Sequence, residues 1–175
     1  SALGFGGVIP SPARTGVTEV WNGTNWTEEG DLSTARSQMG ATGHSPASSA
    51  LAFGGGNPGG LANTEEWVGS GAPIGAFSSA PSLNTARANI AGMGITTAAL
   101  AVGGRSPVIA SNEQYNGSSW TEVGDLNTAR HSAAPSGTTT SALASGGETA
   151  TAFTGVVEEW NGSAWTEVAD LNTTR

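Results

Sequence analysis

Asn112-Glu-Gln-Tyr115-Asn-Gly-Ser-Ser-Trp120-Thr-Glu-Val-Gly-Asp-Leu-Asn-Thr-Ala-Arg130 is the stretch on which the reading of the fold turns. Two short runs, ending at Tyr115 and starting at Trp120, flank the dipeptide Asn116-Gly117. Their alternation of polar and apolar residues is the mark of strands with one buried face. Asn-Gly is the strongest short hairpin signal, because both residues tolerate positive φ. The stretch therefore predicts a β-hairpin, then a turn closing on an arginine. Two near-copies exist: Val17-Thr-Glu-Val-Trp21 and Trp26-Thr-Glu-Glu29 around Asn22-Gly-Thr-Asn25, and Val157-Glu-Glu-Trp160 and Trp165-Thr-Glu-Val168 around Asn161-Gly-Ser-Ala164.

Working upstream, a small-residue run ending in Gly-Gly precedes every copy. It reads Ser1-Ala-Leu-Gly-Phe-Gly-Gly7, Ser49-Ala-Leu-Ala-Phe-Gly-Gly55, Ala98-Ala-Leu-Ala-Val-Gly-Gly104 and Ser141-Ala-Leu-Ala-Ser-Gly-Gly147, with starts 48, 49 and 43 residues apart. Such a run predicts a strand packed closely on both sides, where glycine lets backbones approach. Working downstream, each unit ends on Leu-Ser/Asn-Thr-Ala/Thr-Arg at Arg36, Arg87, Arg130 and Arg175. After the first three arginines a further small-residue run follows, as in Ala88-Asn-Ile-Ala-Gly-Met-Gly94, and supplies a fourth strand. The second unit, with Thr64-Glu-Glu-Trp67, lacks the Trp-Thr-Glu strand and carries Gly69-Ser-Gly-Ala-Pro-Ile-Gly-Ala-Phe-Ser-Ser-Ala-Pro81 instead, so an irregular outer edge is expected there.

Four strands in about 45 residues is the period of a propeller blade, and no 3.6-residue periodicity argues for helices. A Gly-Gly strand, an acidic-aromatic strand and a Trp strand in that order resemble the Kelch repeat. The Asn-Gly-Ser-x-Trp-Thr-Glu-Val-x-Asp-Leu-Asn-Thr-Ala-Arg variant is similar to Kelch-like arrays of tail-fibre and adhesin-like proteins of marine bacteriophages. The fold this resemblance implies is an all-β Kelch-type β-propeller of four four-stranded antiparallel blades, spanning 1–36, 37–87, 88–130 and 131–175. The first blade lacks its inner strand, which leaves fifteen strands. Closure of the ring then requires either a longer chain or copies that complete one another.

Composition narrows the partners. The 175 residues carry a net charge of −8, with 27 glycines, 6 tryptophans and no cysteine. That acidity disfavours nucleic acid and anionic membranes, and no apolar run approaches the ~20 residues that span a bilayer. No charged-then-apolar leader opens the sequence. Catalytic and metal-binding candidates are absent. His44 and His131 occupy non-equivalent places without a carboxylate or serine at triad spacing. A copper–radical site of the galactose-oxidase type requires a Cys-linked tyrosine, and Tyr115 is the only tyrosine. No cofactor is expected, and no enzymatic activity.

Recurring Glu19, Glu65, Glu113, Glu158 and the four unit-closing arginines read as structural ties between neighbouring blades. The tryptophans read as inter-blade packing rather than sugar-stacking platforms. What varies is the connection after each Gly-Gly: 8–16, 56–63, 105–111 and 148–155. Variable loops on a rigid scaffold are the usual place for a binding surface, which makes Arg14, Asn57, Arg105 and Glu148 the candidate ligand-binding residues. With the resemblance, this implies an adhesion module on a virion tail or outside the cell, directed at a cell-surface glycan or protein. A structural spacer that self-associates through open blade edges is the alternative.

Overall fold

The computed structural model describes residues 1–10, 13–43, 48–69 and 75–175, and among these it holds fifteen strands and no helix. The first sheet contains β1 (Ala2–Val8), β2 (Arg14–Trp21) and β3 (Trp26–Glu28). The second contains β4 (Gly40–Gly43), β5 (Ser49–Phe53), β6 (Thr64–Val68) and β7 (Ala76–Ala80). The third is built from β8 (Ala91–Ile95), β9 (Ala98–Gly104), β10 (Ile109–Tyr115) and β11 (Trp120–Val123). The fourth is built from β12 (Ala134–Gly137), β13 (Ala142–Ser145), β14 (Val157–Trp160) and β15 (Trp165–Glu167). Each sheet is an antiparallel meander in chain order, and the first has three strands where the others have four.

Two local expectations need correction. The outer edge of the second sheet is regular: β7 pairs with β6 from Thr64↔Ala80 to Val68↔Ala76 without a bulge. Phe77 stands opposite Trp67, ring centroids 5.3 Å apart, and takes the place of the missing tryptophan. A ladder needs backbone groups and one apolar side chain on the buried face, so the Trp-Thr-Glu motif is dispensable. Residues 70–74 of that stretch lie outside the described residues, as does His44. The hairpin turns also differ from the expected pair of positive-φ residues. Only the glycine adopts positive φ (105° at Gly23, 92° at Gly117, 95° at Gly162). The asparagine acts through its side chain: Asn116 Oδ1 accepts from the backbone N–H of Ser118 and Ser119 at 2.9 Å each, and Asn22 and Asn161 do the same. This is an Asx turn.

The Gly-Gly doublets have a definite cause. Both glycines of each doublet have positive φ, for example 56° at Gly103 and 141° at Gly104. A Cβ on Gly103 would stand 2.3 Å from the carbonyl oxygen of Arg130, and the N–H of Gly104 donates to that same oxygen at 3.1 Å. Gly7, Gly55 and Gly147 bind the carbonyls of Arg36, Arg87 and Arg175 in the same way, at 2.9, 2.9 and 2.7 Å. Each unit thus fastens its closing arginine to its own doublet, and only glycine leaves room.

Neighbouring sheets pack through a repeated apolar seam. In the seam between the second and third sheets, Leu51, Phe53 and Leu83 meet Ala99, Ala101, Tyr115 and Trp120. In the next seam, Leu100, Val102 and Leu126 meet Ala142, Ala144, Trp160 and Trp165. Between the first and second sheets Phe5 meets Phe77 edge-on, centroids 5.2 Å apart. Strand alternation makes this possible, because the leucines of a Gly-Gly strand face one neighbour and its alanines face the other. Burial of each such leucine or aromatic contributes about 1.5–3 kcal/mol. The inner strands follow suit: β4 packs on β8 and β8 on β12, while no comparable contact joins β12 to β1 among the described residues.

Inside each seam lies a buried ion pair. Arg36 Nη2 is 2.8 Å from Glu65 Oε1, Arg87 Nη2 is 3.3 Å from Glu113 Oε1, and Arg130 Nη1 is 2.5 Å from Glu158 Oε1. All three arginines are fully buried. The carboxylates also gather backbone donors from the preceding unit: Glu65 accepts from Ser33, Glu113 from Asn84 and Thr85, and Glu158 from Asn127 and Thr128. Burial pulls the Arg36 and Arg87 guanidinium groups below their ordinary range, and the neighbouring Glu65 and Glu113 charges oppose that. Removing one partner of a buried pair strands the other charge without compensation, at a cost of about 3–5 kcal/mol. Glu113→Ala is therefore expected to lower unfolding stability by that amount in urea titration. Thr24→Ala, exposed in the first hairpin turn, is expected to stay within about 0.5 kcal/mol of the parent.

Candidate functional site

The connections that follow the Gly-Gly doublets of the second, third and fourth units are each pinned to the segment leading into the inner strand of the same unit. Isolated bridges join Ser37 to Gly56, Ala88 to Arg105 and His131 to Glu148, so the residue after each doublet pairs with the residue after each closing arginine. One residue further on, the backbones of successive units are linked directly. The N–H of Asn89 donates to the carbonyl of Gln38 at 2.7 Å, and that of Ser132 to the carbonyl of Asn89 at 3.0 Å. The Asn89 amide side chain also donates to Ser132 Oγ at 3.0 Å. Gln38, Asn89 and Ser132 all sit at positive φ, 59°, 53° and 54°. They form a polar arc bordered by the variable connections.

The four sequence-nominated residues all fall on this rim, one per sheet, but in different states. Arg14 is the first residue of β2, pairs with Val8 and is half-buried, with its Nε buried and unpartnered. Asn57 is exposed and donates to the carbonyl of Ala35 at 2.7 Å, which ties its connection to the closing turn of the first unit. Arg105 is exposed, and its guanidinium has no ion pair or hydrogen bond among the described residues. Glu148 Oε2 stands 3.7 Å from His131 Nε2, with the carboxylate side chain 43% exposed and the imidazole buried. Each belongs to a different connection, so they make a distributed rim rather than one converging pocket.

Folding brings His131 next to partners that its sequence position does not reveal. Its Nδ1 lies 3.1 Å from Ser132 Oγ, and Glu148 faces its other nitrogen. This overturns the reading of His131 as a histidine without a carboxylate neighbour. A serine–histidine–carboxylate set of this kind differs from a nucleophilic triad in two respects. The 3.7 Å separation is longer than a hydrogen bond. The unusual backbone of Ser132 is shared with Gln38 and Asn89 and therefore belongs to the repeat. Among the described residues no group of three or more His, Cys, Asp or Glu is placed to hold a metal ion.

Sequence reasoning missed two features of the rim. One is the Gln38–Asn89–Ser132 arc, whose signal was a polar residue recurring two places after each arginine. The other is apolar: Val8 and Ile9 in the first connection and Phe153 in the fourth are 66%, 46% and 64% exposed. Large apolar residues inside Gly- and Pro-rich turns were the available clue. No family model and no curated protein matches this chain.

A non-glycine residue at positive φ carries strain of about 1 kcal/mol. Gln38→Gly relieves that strain but adds about 0.4–1 kcal/mol of unfolded-chain entropy, so its unfolding midpoint is expected to stay within the equivalent of about 0.5 kcal/mol of the parent. Gly104→Ala, where φ is 141° and a Cβ would lie 2.9 Å from the Arg87 side chain, is expected to lower it. Thermal unfolding followed by tryptophan emission reads both.

Proposed function

We propose that this chain is a non-enzymatic binding module of the Kelch-type β-propeller class, with its four sheets as blades. Its target class is a cell-surface glycan or protein, recognised at the end where the variable connections lie. The observation that carries this reading is the contrast between repeated and unrepeated parts. Doublets, seams and ion pairs recur from unit to unit, whereas the connections at one end differ in every sheet and expose Asn57, Arg105, Phe153, Val8 and Ile9. A uniform frame with divergent exposed connections is the geometry of recognition rather than of chemistry at one reacting atom. The adhesive, tail-fibre setting outside a cell rests on the sequence resemblance of the Asn-Gly-Ser-x-Trp-Thr-Glu-Val repeat.

Aromatic and arginine residues dominate binding energies at such surfaces. The double variant Asn57→Ala, Arg105→Ala and the single variant Phe153→Ala are each expected to weaken adsorption to the target surface about tenfold or more. Unfolding should be unchanged in Phe153→Ala, whose side chain lies outside the seams, and the double variant should lose only the Asn57–Ala35 hydrogen bond, about 0.5–1.5 kcal/mol. Glycan-array and cell-adsorption measurements on the purified chain provide the check. If no surface is bound, and exchanging all four connections leaves adsorption as it was, the reading fails.

A further inference from the structure

The first and fourth sheets each turn one face to solvent, and those faces are the two halves of a seam the chain builds repeatedly within itself. On the first sheet Glu19 is exposed, Trp21 is half-buried and Trp26 is 51% exposed. Their counterparts Glu113, Tyr115 and Trp120, and Glu158, Trp160 and Trp165, are all buried against the preceding sheet. On the fourth sheet Arg175 is exposed, Leu143 is 40% exposed, and Ser145 and Leu171 are half-buried. Their counterparts Arg87, Leu51, Phe53 and Leu83 are buried against the following sheet. Neither Glu19 nor Arg175 has an ion pair or side-chain hydrogen bond among the described residues.

The match extends beyond charge. Asn84 and Asn127 use their amide groups to reach the carbonyls of Trp120 and Trp165 in the following sheet, at 3.2 and 3.1 Å. Asn172 holds the equivalent place in the fourth unit, and Trp26 the equivalent of the two acceptors. Beside Arg175 lies a hollow of about 330 Å³ lined by Ser132, Ser145, Gly147 and Leu171. Between the second and third sheets Ile90, just ahead of an inner strand, fills the matching place over Gly54. The first sheet has no inner strand, so this hollow is not part of the match. The tryptophan side of a seam draws mainly on the second, third and fourth strand positions of a sheet, and the first sheet has all of these.

We propose that a second copy of this chain docks its first sheet on the open face of the fourth, head to tail. Arg175 then meets Glu19 of the second copy, and Asn172 meets the carbonyl of that copy's Trp26. The contact is heterologous, so it closes into a ring when the rotation allows. Two copies bring eight sheets, within the range of about four to eight blades that propellers use. The two-copy ring is the assembly expected.

Analytical ultracentrifugation of the 175-residue chain should show a dimer at micromolar concentration. Glu19→Arg and Arg175→Glu each place like charges in the contact, and each alone should associate about a hundredfold more weakly or not at all. An equimolar mixture of the two should recover the dimer, because one contact then holds the original pair and the other the reversed pair. Circular dichroism of each variant verifies folding, and Glu19→Gln with Arg175→Gln gives a milder pair with the same expected direction. A parent chain that stays monomeric overturns the proposal, as do single variants that dimerise like the parent or a mixture that remains monomeric. A glycan that shifts Trp26 emission in a monomeric chain assigns that face to the ligand and likewise overturns it.

Discussion

The buried arginine–glutamate pair is the constraint around which the rest of this structure is arranged. A guanidinium with no solvent access needs a carboxylate and several carbonyl or hydroxyl acceptors at once. Arg130 finds Glu158, the carbonyl of Ala144 and that of Thr128. Those acceptors come from two successive sheets, so the pair can form only when both sheets are in place and in register. The same carboxylate then gathers the backbone donors of the Leu-Asn-Thr turn, which would otherwise be left unpaired beside it. One interaction therefore fixes the closing turn of a unit, the register of the next and the distance between them. The apolar seam supplies most of the favourable burial, and the ion pair supplies the specificity of alignment.

This division explains the composition. Charged residues make up 11% of the chain, and a substantial part of them are these internal pairs. The small residues follow from the close approach of sheets: alanines of β9 and β13 lie under the aromatics of the same sheet and against the leucines of the sheet before. The glycines follow from the carbonyl of each closing arginine, which occupies the space a side chain would need.

Much of this frame was legible in the residues because it is written several times. Repetition exposed most strand positions, the three-stranded first sheet, and the recurring arginines and glutamates as ties between neighbouring units. What repetition does not encode was harder to read. The strand at Ala76–Ala80 replaces a tryptophan by Phe77 with different flanking residues, so motif comparison missed it although the backbone ladder is intact. The neighbourhood of His131 depends on a bridge to Glu148, seventeen positions later in the chain, and no local pattern announces such a contact. Of the residues nominated on the connections, Asn57, Arg105 and Glu148 lie between strands, whereas Arg14 is the first residue of β2. Their individual states were not legible, because exposure and partners there depend on turn geometry rather than on alternation.

The clamp at the base of each connection has a consequence for how such a surface can change. The doublet, the closing carbonyl and the bridge hold both ends of a connection independently of what lies between them. Lengthening a segment whose ends are already fixed costs only the slow logarithmic growth of loop entropy, about 0.6 kcal/mol per doubling. The frame therefore acts as a set of sockets, each accepting inserts of different length and chemistry at nearly constant stability. Diversity at the rim and uniformity in the seams have the same mechanical origin.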